Sequence, residues 1–179
     1  ANPKTATEGN SGIGSPSHVS GILFQKAIAS PIQMIPYRGA GESTQAIVSG
    51  QIDVLLNTPA VSMAQLKAKQ VKVFAVTAPK RLATAPDIPT TDEAGLPGFY
   101  FTFWHALWVP KDTPKDVVAR LNGALRGALA DPEIKNRLTA LAQDIFPPEE
   151  QAPEALAKFQ NSEIQKWWPV IKEAGITAH

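Results

Sequence analysis

A chain of 179 residues, 44% hydrophobic and 18% charged, can bury the core of one ordinary domain or of two small lobes. Its 17 basic residues against 16 acidic ones leave a net charge of +1, with no clustered excess of Lys and Arg to track a phosphate backbone, so no nucleic-acid partner is expected. There is no cysteine, and no apolar run approaches the ~20 residues that span a bilayer, which excludes disulfides, thiol catalysis, thiolate metal sites and a transmembrane helix.

Ala1-Asn2-Pro3-Lys4 has neither the charged flank nor the apolar core of a signal peptide, and the chain reads as beginning in mid-protein. A strand is predicted over 5–8, then a Gly/Ser-rich turn. A helix follows from Pro16 to Ala29 with Val19, Ile22, Leu23 and Ala27 on one face. Ile32 to Pro36 reads as a strand, 38–41 as a turn and Glu42 to Ser49 as a short helix. Val54 to Leu56 is a third strand and Pro59 to Lys69 a third helix. Val71 to Thr77 (VKVFAVT) is the strongest strand signal, β-branched with an aromatic at its middle. This alternation predicts an α/β domain built on a mainly parallel sheet.

Residues 78–98 read as loop, with prolines at 79, 86, 89 and 97, and the aromatic run Phe99 to Pro110 as one or two strands. The remainder is helical. Thr113 is the expected N-cap before Pro114, and Val117, Leu121, Leu125 and Leu129 the buried stripe of that helix. Asp131-Pro132 repeats the device before Ile134, Leu138 and Leu141. A last helix over 152–173 presents Leu156, Phe159, Trp167 and Ile171, with Pro169 expected to kink or break it and Gly175 to cap it.

Three βα turns share one design. In Gly12-Ile13-Gly14-Ser15-Pro16-Ser17-His18, two glycines let the backbone approach a ligand, Ser15 stands as N-cap and Pro16 opens the helix. Helix N-termini carry partial positive charge and unpaired N–H donors, which suits an anion. Tyr37-Arg38-Gly39-Ala40-Gly41 again places glycines before a helix and adds a cation, and Asn57-Thr58-Pro59 repeats the cap-and-proline start. In an open α/β sheet such turns lie beyond the carboxyl ends of the strands, where ligands bind. The competing explanation is that caps of this kind open many helices that bind nothing, Thr113-Pro114 among them.

Other candidates carry less. His18 either donates to a bound carboxylate or supports the turn behind it. Asp53 either accepts from a ligand amine or fixes a turn. His105 and His179 have no second ligand at metal spacing, so neither metal nor cofactor is expected. The glycines at 9, 12 and 14 have the wrong order for a dinucleotide fingerprint, with no acid about 20 residues on. An esterase using Ser15 and His18 lacks both the G-x-S-x-G elbow and a placed acid. Trp104, Trp108, Trp167 and Trp168 read as core and inter-lobe packing rather than a ligand cage.

GIGSPSH at 12–18, PYRGAGESTQAIVSGQID at 36–53, VKVFAVTAPKRLATAPDIPTTDEAGLPGF at 71–99, WVPKDTP at 108–114, LADPEIKNRL at 129–138 and KWWPVIKEAGI at 166–176 together resemble the Bug-type periplasmic substrate-binding proteins of tripartite tricarboxylate transporters. The resemblance covers essentially the whole chain, matched to the carboxy-terminal three-fifths of a member. It departs from the family's usual pattern at Trp104-His105-Ala106 and at Asp112-Thr113-Pro114.

The resemblance implies a non-enzymatic, two-lobed α/β fold of the periplasmic-binding type (Venus flytrap, type II). Residues 1–104 would form the second, ligand-binding lobe, and residues 105–179 the returning helical part of an incomplete first lobe. The ligand would be a small organic anion: a dicarboxylate, an acidic amino acid or an aromatic acid. It would be captured in the periplasm and passed to the membrane components of the transporter. Gly14, Ser15, Ser17 and His18 would stand beside a carboxylate, Tyr37, Arg38, Gly39 and Ala40 along the cleft, and Asp53, Asn57 and Thr58 with them. The alternative is a truncated module that does not bind, or that self-associates through the incomplete first lobe.

Overall fold

The computed structural model describes residues 5–176. Ala1-Asn2-Pro3-Lys4 and His179, read above for a leader and for metal spacing, lie outside the described residues. Strands β1 (Thr7–Asn10), β2 (Gln33–Pro36) and β3 (Val54–Leu55) form a parallel sheet in the order β2-β1-β3. Helices α1 (Pro16–Ala27) and α2 (Ala40–Val48) are its crossovers, and α3 (Pro59–Lys67) follows β3. The register sets Glu8 opposite Met34 and Val54, and Gly9 opposite Ile35 and Leu55.

The step from β1 to β2 and the step from β2 to β3 run in opposite directions, so right-handed crossovers put α1 and α2 on opposite faces of β1. Side chains alternate along β1 to match. Glu8 lies on the α1 face: a Cβ added to Gly21 of α1 would collide with its Oε1. A Cβ added to Gly9 would instead collide with Ile52 and sit 3.3 Å from the Tyr37 ring, on the α2 side. Val19, Ile32, Ala46, Ile52, Phe99 and Phe101 supply the buried apolar core. Burial of each large side chain stabilises by about 1.5–3 kcal/mol. The face of α1 is smaller than its sequence suggests: Ser17, Val19, Ser20 and Gly21 are buried, whereas Ala27 is exposed. A close helix-to-sheet approach at Gly21 admits only small residues there.

Two compact units emerge, one reaching to Phe103 together with the stretch from Ile171, the other Trp104–Val170. The second contains α4 (Lys115–Ala130), α5 (Pro132–Ala140), a single 3-10 turn (Pro148–Glu150) and most of α6 (Pro153–Glu173). In it Trp104 packs edge-on to Phe159 at 5.1 Å, Phe159 meets Phe146 at 5.5 Å, and Trp108 lies 5.9 Å from Trp104. Glu163 Oε2 accepts from the indole N–H of both Trp104 (3.3 Å) and Trp167 (2.8 Å). Trp108 and Trp168 remain more than half exposed, so these two are not core within the described chain.

Several expectations are corrected. Val71 to Thr77 is not a strand: only Val76 is bridged, to Thr90, and Phe74 is exposed. The segment facing it contains Pro86 and Pro89, which offer no N–H to a ladder, and Val76 must donate to the Pro89 carbonyl (2.9 Å) in a pairing that cannot extend. Phe99 to Pro110 forms no strand either: Phe101 N–H donates to Thr77 O (3.0 Å) and Thr77 Oγ1 to Phe101 O (2.7 Å) without extending into a ladder, and Phe99 and Phe101 also make ring contacts with Phe24 and Phe103. Helix α2 starts two residues earlier than predicted, at Ala40, with Gly39 as N-cap. Helix α4 starts one residue later than predicted, because Pro114 is extended (ψ 142°) and serves as the cap itself, with no side-chain bond from Thr113. Along α4, Val117 and Leu121 are exposed and no residue is buried, since its contacts with neighbouring elements are chiefly to α5. Pro169 neither ends nor splits α6, which continues to Glu173.

Candidate functional site

The carboxyl ends of β1, β2 and β3 are adjacent, and the turns that leave them are tied together. Tyr37 N–H donates to Asn10 O (2.9 Å), joining the second turn to the first, and Asn57 Nδ2 reaches Thr44 Oγ1 (3.3 Å), joining the third turn to α2. Three sequence-predicted segments therefore meet at one edge of the sheet, as parallel pairing around a central first strand requires.

In the first turn Gly12 (φ 112°) and Gly14 (φ 78°) hold left-handed backbone that a side chain would strain. Ser15 caps α1 as expected, its Oγ accepting from His18 N–H (3.2 Å) and lying 3.1 Å from Ser17 Oγ. The turn is also more self-satisfied than expected. Gly12 N–H donates to Asn10 Oδ1 (3.0 Å), Ser11 N–H to Ser17 Oγ (2.9 Å) and Ser15 N–H to Gly12 O (3.1 Å). Gly14 N–H donates to His18 Nδ1 (3.1 Å). That last bond fixes the imidazole: Nδ1 accepts, so in the neutral ring the proton sits on Nε2. Partial burial lowers the His18 pKa below its ordinary value, which favours the neutral ring. His18 is thus a neutral Nε2–H donor held by the turn it serves.

In the second turn Gly39 is extended (φ 175°) and the cap has no side-chain bond. Glu42, in the first turn of α2, accepts from Arg38 N–H (3.1 Å), so an acid already occupies this helix N-terminus. The anion-attracting element here is the Arg38 side chain, which is exposed and makes no ion pair or hydrogen bond among the described residues. A depression of about 400 Å³ beside this turn, lined by Tyr37, Glu42, Gln45, Ala46, Ser49 and Gln51, contains an acid and no cation, which does not suit a carboxylate. In the third turn Thr58 is extended before Pro59 but makes no side-chain cap bond, and its N–H donates to Asn57 Oδ1 (2.9 Å).

Asp53 is set apart from these residues. It stands at the amino end of β3, and its Oδ2 accepts from both the N–H and the hydroxyl of Thr7 (2.8 Å each), which holds its pKa below the ordinary carboxylate value. Its own N–H returns to Thr7 O (3.0 Å). The geometry gives Asp53 the task of locking β1 to β3. Sequence reasoning passed over two residues: Glu42, whose position three residues after the Gly39 cap was the available signal, and Asn10, the strand-end side chain that closes the first turn.

A family model described as "Tripartite tricarboxylate transporter family receptor" matches residues 1–176. A protein of Agrobacterium vitis, known as the UPF0065 protein in the TAR-I ttuE-ttuC' intergenic region, is 37% identical over 97% of this chain and 50% of its own length. Among solved structures, the periplasmic binding protein BugD superposes with a TM-score of 0.90 at 34% identity, covering 99% of this chain and 59% of that one. MatC from Rhodopseudomonas palustris with bound malate gives 0.87 at 34% identity, over 93% of this chain and 56% of that one. A second R. palustris protein, with adipate, gives 0.85 at 28% identity, over 98% and 58%. The chain thus spans half the length of the Agrobacterium relative and less than three-fifths of these solved structures.

Proposed function

Because the chain belongs to the family of tripartite tricarboxylate transporter receptors, with an α/β fold of the periplasmic-binding type, we propose that it supplies one ligand-holding wall of a periplasmic solute-binding protein for small carboxylates. The observation that carries this reading is the edge where three βα turns meet, with His18 as a neutral donor and Arg38 as a cation without a partner among the described residues. Gly14, Ser15, Ser17, Tyr37, Gly39, Ala40, Asn57 and Thr58 shape the seat around them. The malate and adipate held by two neighbours favour dicarboxylates over acidic amino acids and aromatic acids.

In this reading the unit made of the chain to Phe103 and the stretch from Ile171 is the second lobe, and the helices of Trp104–Val170 belong to the first. The ligand is bound and released unchanged, and the membrane components of the transporter receive it. Two features speak against hydrolysis: Ser15 Oγ is spent on capping, and no carboxylate orients His18 among the described residues. Hydrolytic turnover lost on Ser15→Ala would overturn the non-enzymatic reading.

The test is a thermal-shift series on this chain with malate, adipate, an acidic amino acid and an aromatic acid. A ligand at ~100 times its dissociation constant adds about 2.7 kcal/mol of stability. A selective rise in melting temperature with the dicarboxylates is expected. Indifference to every acid, both for this chain and for a chain extended to the full length of its relatives, would overturn the proposal. The exposed Val117 and Leu121 favour self-association as the second reading, and a concentration-dependent dimer in sedimentation would support it.

A further inference from the structure

Glu8 sits on the central strand, is 0% exposed, and neither of its carboxyl oxygens has a hydrogen-bond partner among the described residues. A buried carboxyl without partners is costly when ionised, because desolvation is not offset. Its surroundings are tight. A Cβ on Gly21 of α1 would collide with Glu8 Oε1 and come within 2.7 Å of Met34 Cε. Glycine inside a helix is unfavourable relative to alanine, and here it makes room for the carboxyl. The carboxyl is thus pressed against the α1 backbone.

Among the described residues no compensating charge faces it. The elements packed around this face are α1, β2 and β3, and neither β2 (Gln33–Pro36) nor β3 (Val54–Leu55) carries a titratable group. On α1, His18 takes the Gly14 N–H and Lys26 pairs with Glu173 at 2.7 Å. Asp53, just before β3, is engaged with Thr7.

We propose that Glu8 is a proton-operated latch: its neutral carboxyl lets α1 seat on the sheet, and its ionisation loosens that helix to admit water. Desolvation supports this by pushing the carboxyl up from the ordinary 4.5 to about 7. With the folded-state value above the unfolded one, the stabilisation is fully present below pH 4.5 and is lost as pH rises through about 7. The folding equilibrium should fall by about 300-fold across that window. The Ser15, Ser17 and His18 segment rides on the amino end of α1. If the carboxylate reading above holds, malate affinity should weaken over the same window.

The latch itself is tested without ligand. Urea unfolding and amide exchange would be followed from pH 4.5 to 9 for the wild type, Glu8→Gln and the apolar Glu8→Met. The difference in stability between wild type and either variant should bend near pH 7. At each pH above the bend, α1 amides should show a larger excess of exchange in the wild type over the variants than α2 amides, which lie on the other face of the sheet and follow the global equilibrium alone. Glu8→Met keeps the test available if the amide of Glu8→Gln impairs folding. A flat difference curve, or α1 and α2 responding alike, would overturn the latch. A bend near 7 with no binding of malate at any pH would uphold the latch and count against the carboxylate reading alone.

Discussion

Arg38 and Gly14 exert their effects at the proposed site by different routes. The Arg38 guanidinium has no partner among the described residues, so a ligand carboxylate would gain a charge-assisted bond of about 1.5–3 kcal/mol. Arg38→Ala should weaken dicarboxylate binding at least about tenfold while leaving the melting temperature of the free chain unchanged; titration calorimetry reads the first and a thermal melt the second. Gly14 is not held open for the ligand in the simple sense that its sequence suggests. An added Cβ there would point towards Ile176 Cγ2 at 3.6 Å, an ordinary contact, so the harm in Gly14→Val comes from its φ of 78°. That strain would displace the His18 partner N–H and should abolish binding together with the Gly14 to His18 bond. A normal calorimetric titration by Gly14→Val would remove the first turn from the site. The same backbone argument applies far from the site. Ala29 holds φ 50° just past the end of α1, where Ala29 N–H returns to Lys26 O (3.2 Å) and Ser30 N–H to Gln25 O (3.2 Å). Those two bonds are a Schellman closure, which glycine enters without strain. Ala29→Gly should stabilise by about 0.5–1 kcal/mol, seen as a higher urea midpoint at unchanged slope.

At the scale of elements, helix caps separate what the sequence showed from what it hid. Asp131 was legible: its Oδ1 accepts from Glu133 N–H (2.8 Å) and Ile134 N–H (3.1 Å). Asp131→Ala should lower stability by about 1 kcal/mol. Thr58 shows the same cap-and-proline pattern, yet its side chain makes no cap bond, so Thr58→Ala should change stability by less than about 0.5 kcal/mol. Paired urea melts of the two variants decide this, and equal losses would contradict the contrast. The three βα units were readable because short-range signals set them: short extended segments ended by glycine or polar turns, and a serine or proline at the helix start. The strand order β2-β1-β3 that brings the turns together was not readable from any of these segments, because it depends on long-range pairing. VKVFAVT failed for the same reason, since its pattern reports what the segment suits and its proline-bearing partner reports what it finds. Within the site, the glycines, Ser15 and Arg38 stood out by residue type. The Glu42 to Arg38 bond and the task of Asp53 at the amino end of the strands appeared only with the folded backbone.

For the whole molecule, two carboxyls pull the stability curve in opposite directions. Glu93 binds Arg81 Nε through both oxygens (2.9 and 3.1 Å) and accepts from Thr90 N–H (2.8 Å), which holds its carboxyl near 2 instead of 4.5. A depressed acid stabilises above its unfolded pKa, and that contribution fades as pH falls through about 2. Glu93 is solvent-exposed, so the acid limb should be shallow and should weaken further in salt. Glu8 sets the other limb, with stability fading as pH rises through about 7. Because that limb arises from burial rather than from an exposed pair, salt should leave it nearly unchanged. The melting temperature should therefore peak on the acid side of neutrality, between the ranges of the two groups. Melts from pH 2 to 9 in low and high salt test this. Glu93→Gln should flatten the acid limb alone and Glu8→Gln the alkaline limb alone, while the double variant should lose both contributions additively because the groups share no partner. An optimum that stays at or above pH 7 in the wild type, or an alkaline limb that persists in Glu8→Gln, would mean that the buried carboxyl finds a partner when ionised, and the pH dependence would have to be sought among other groups.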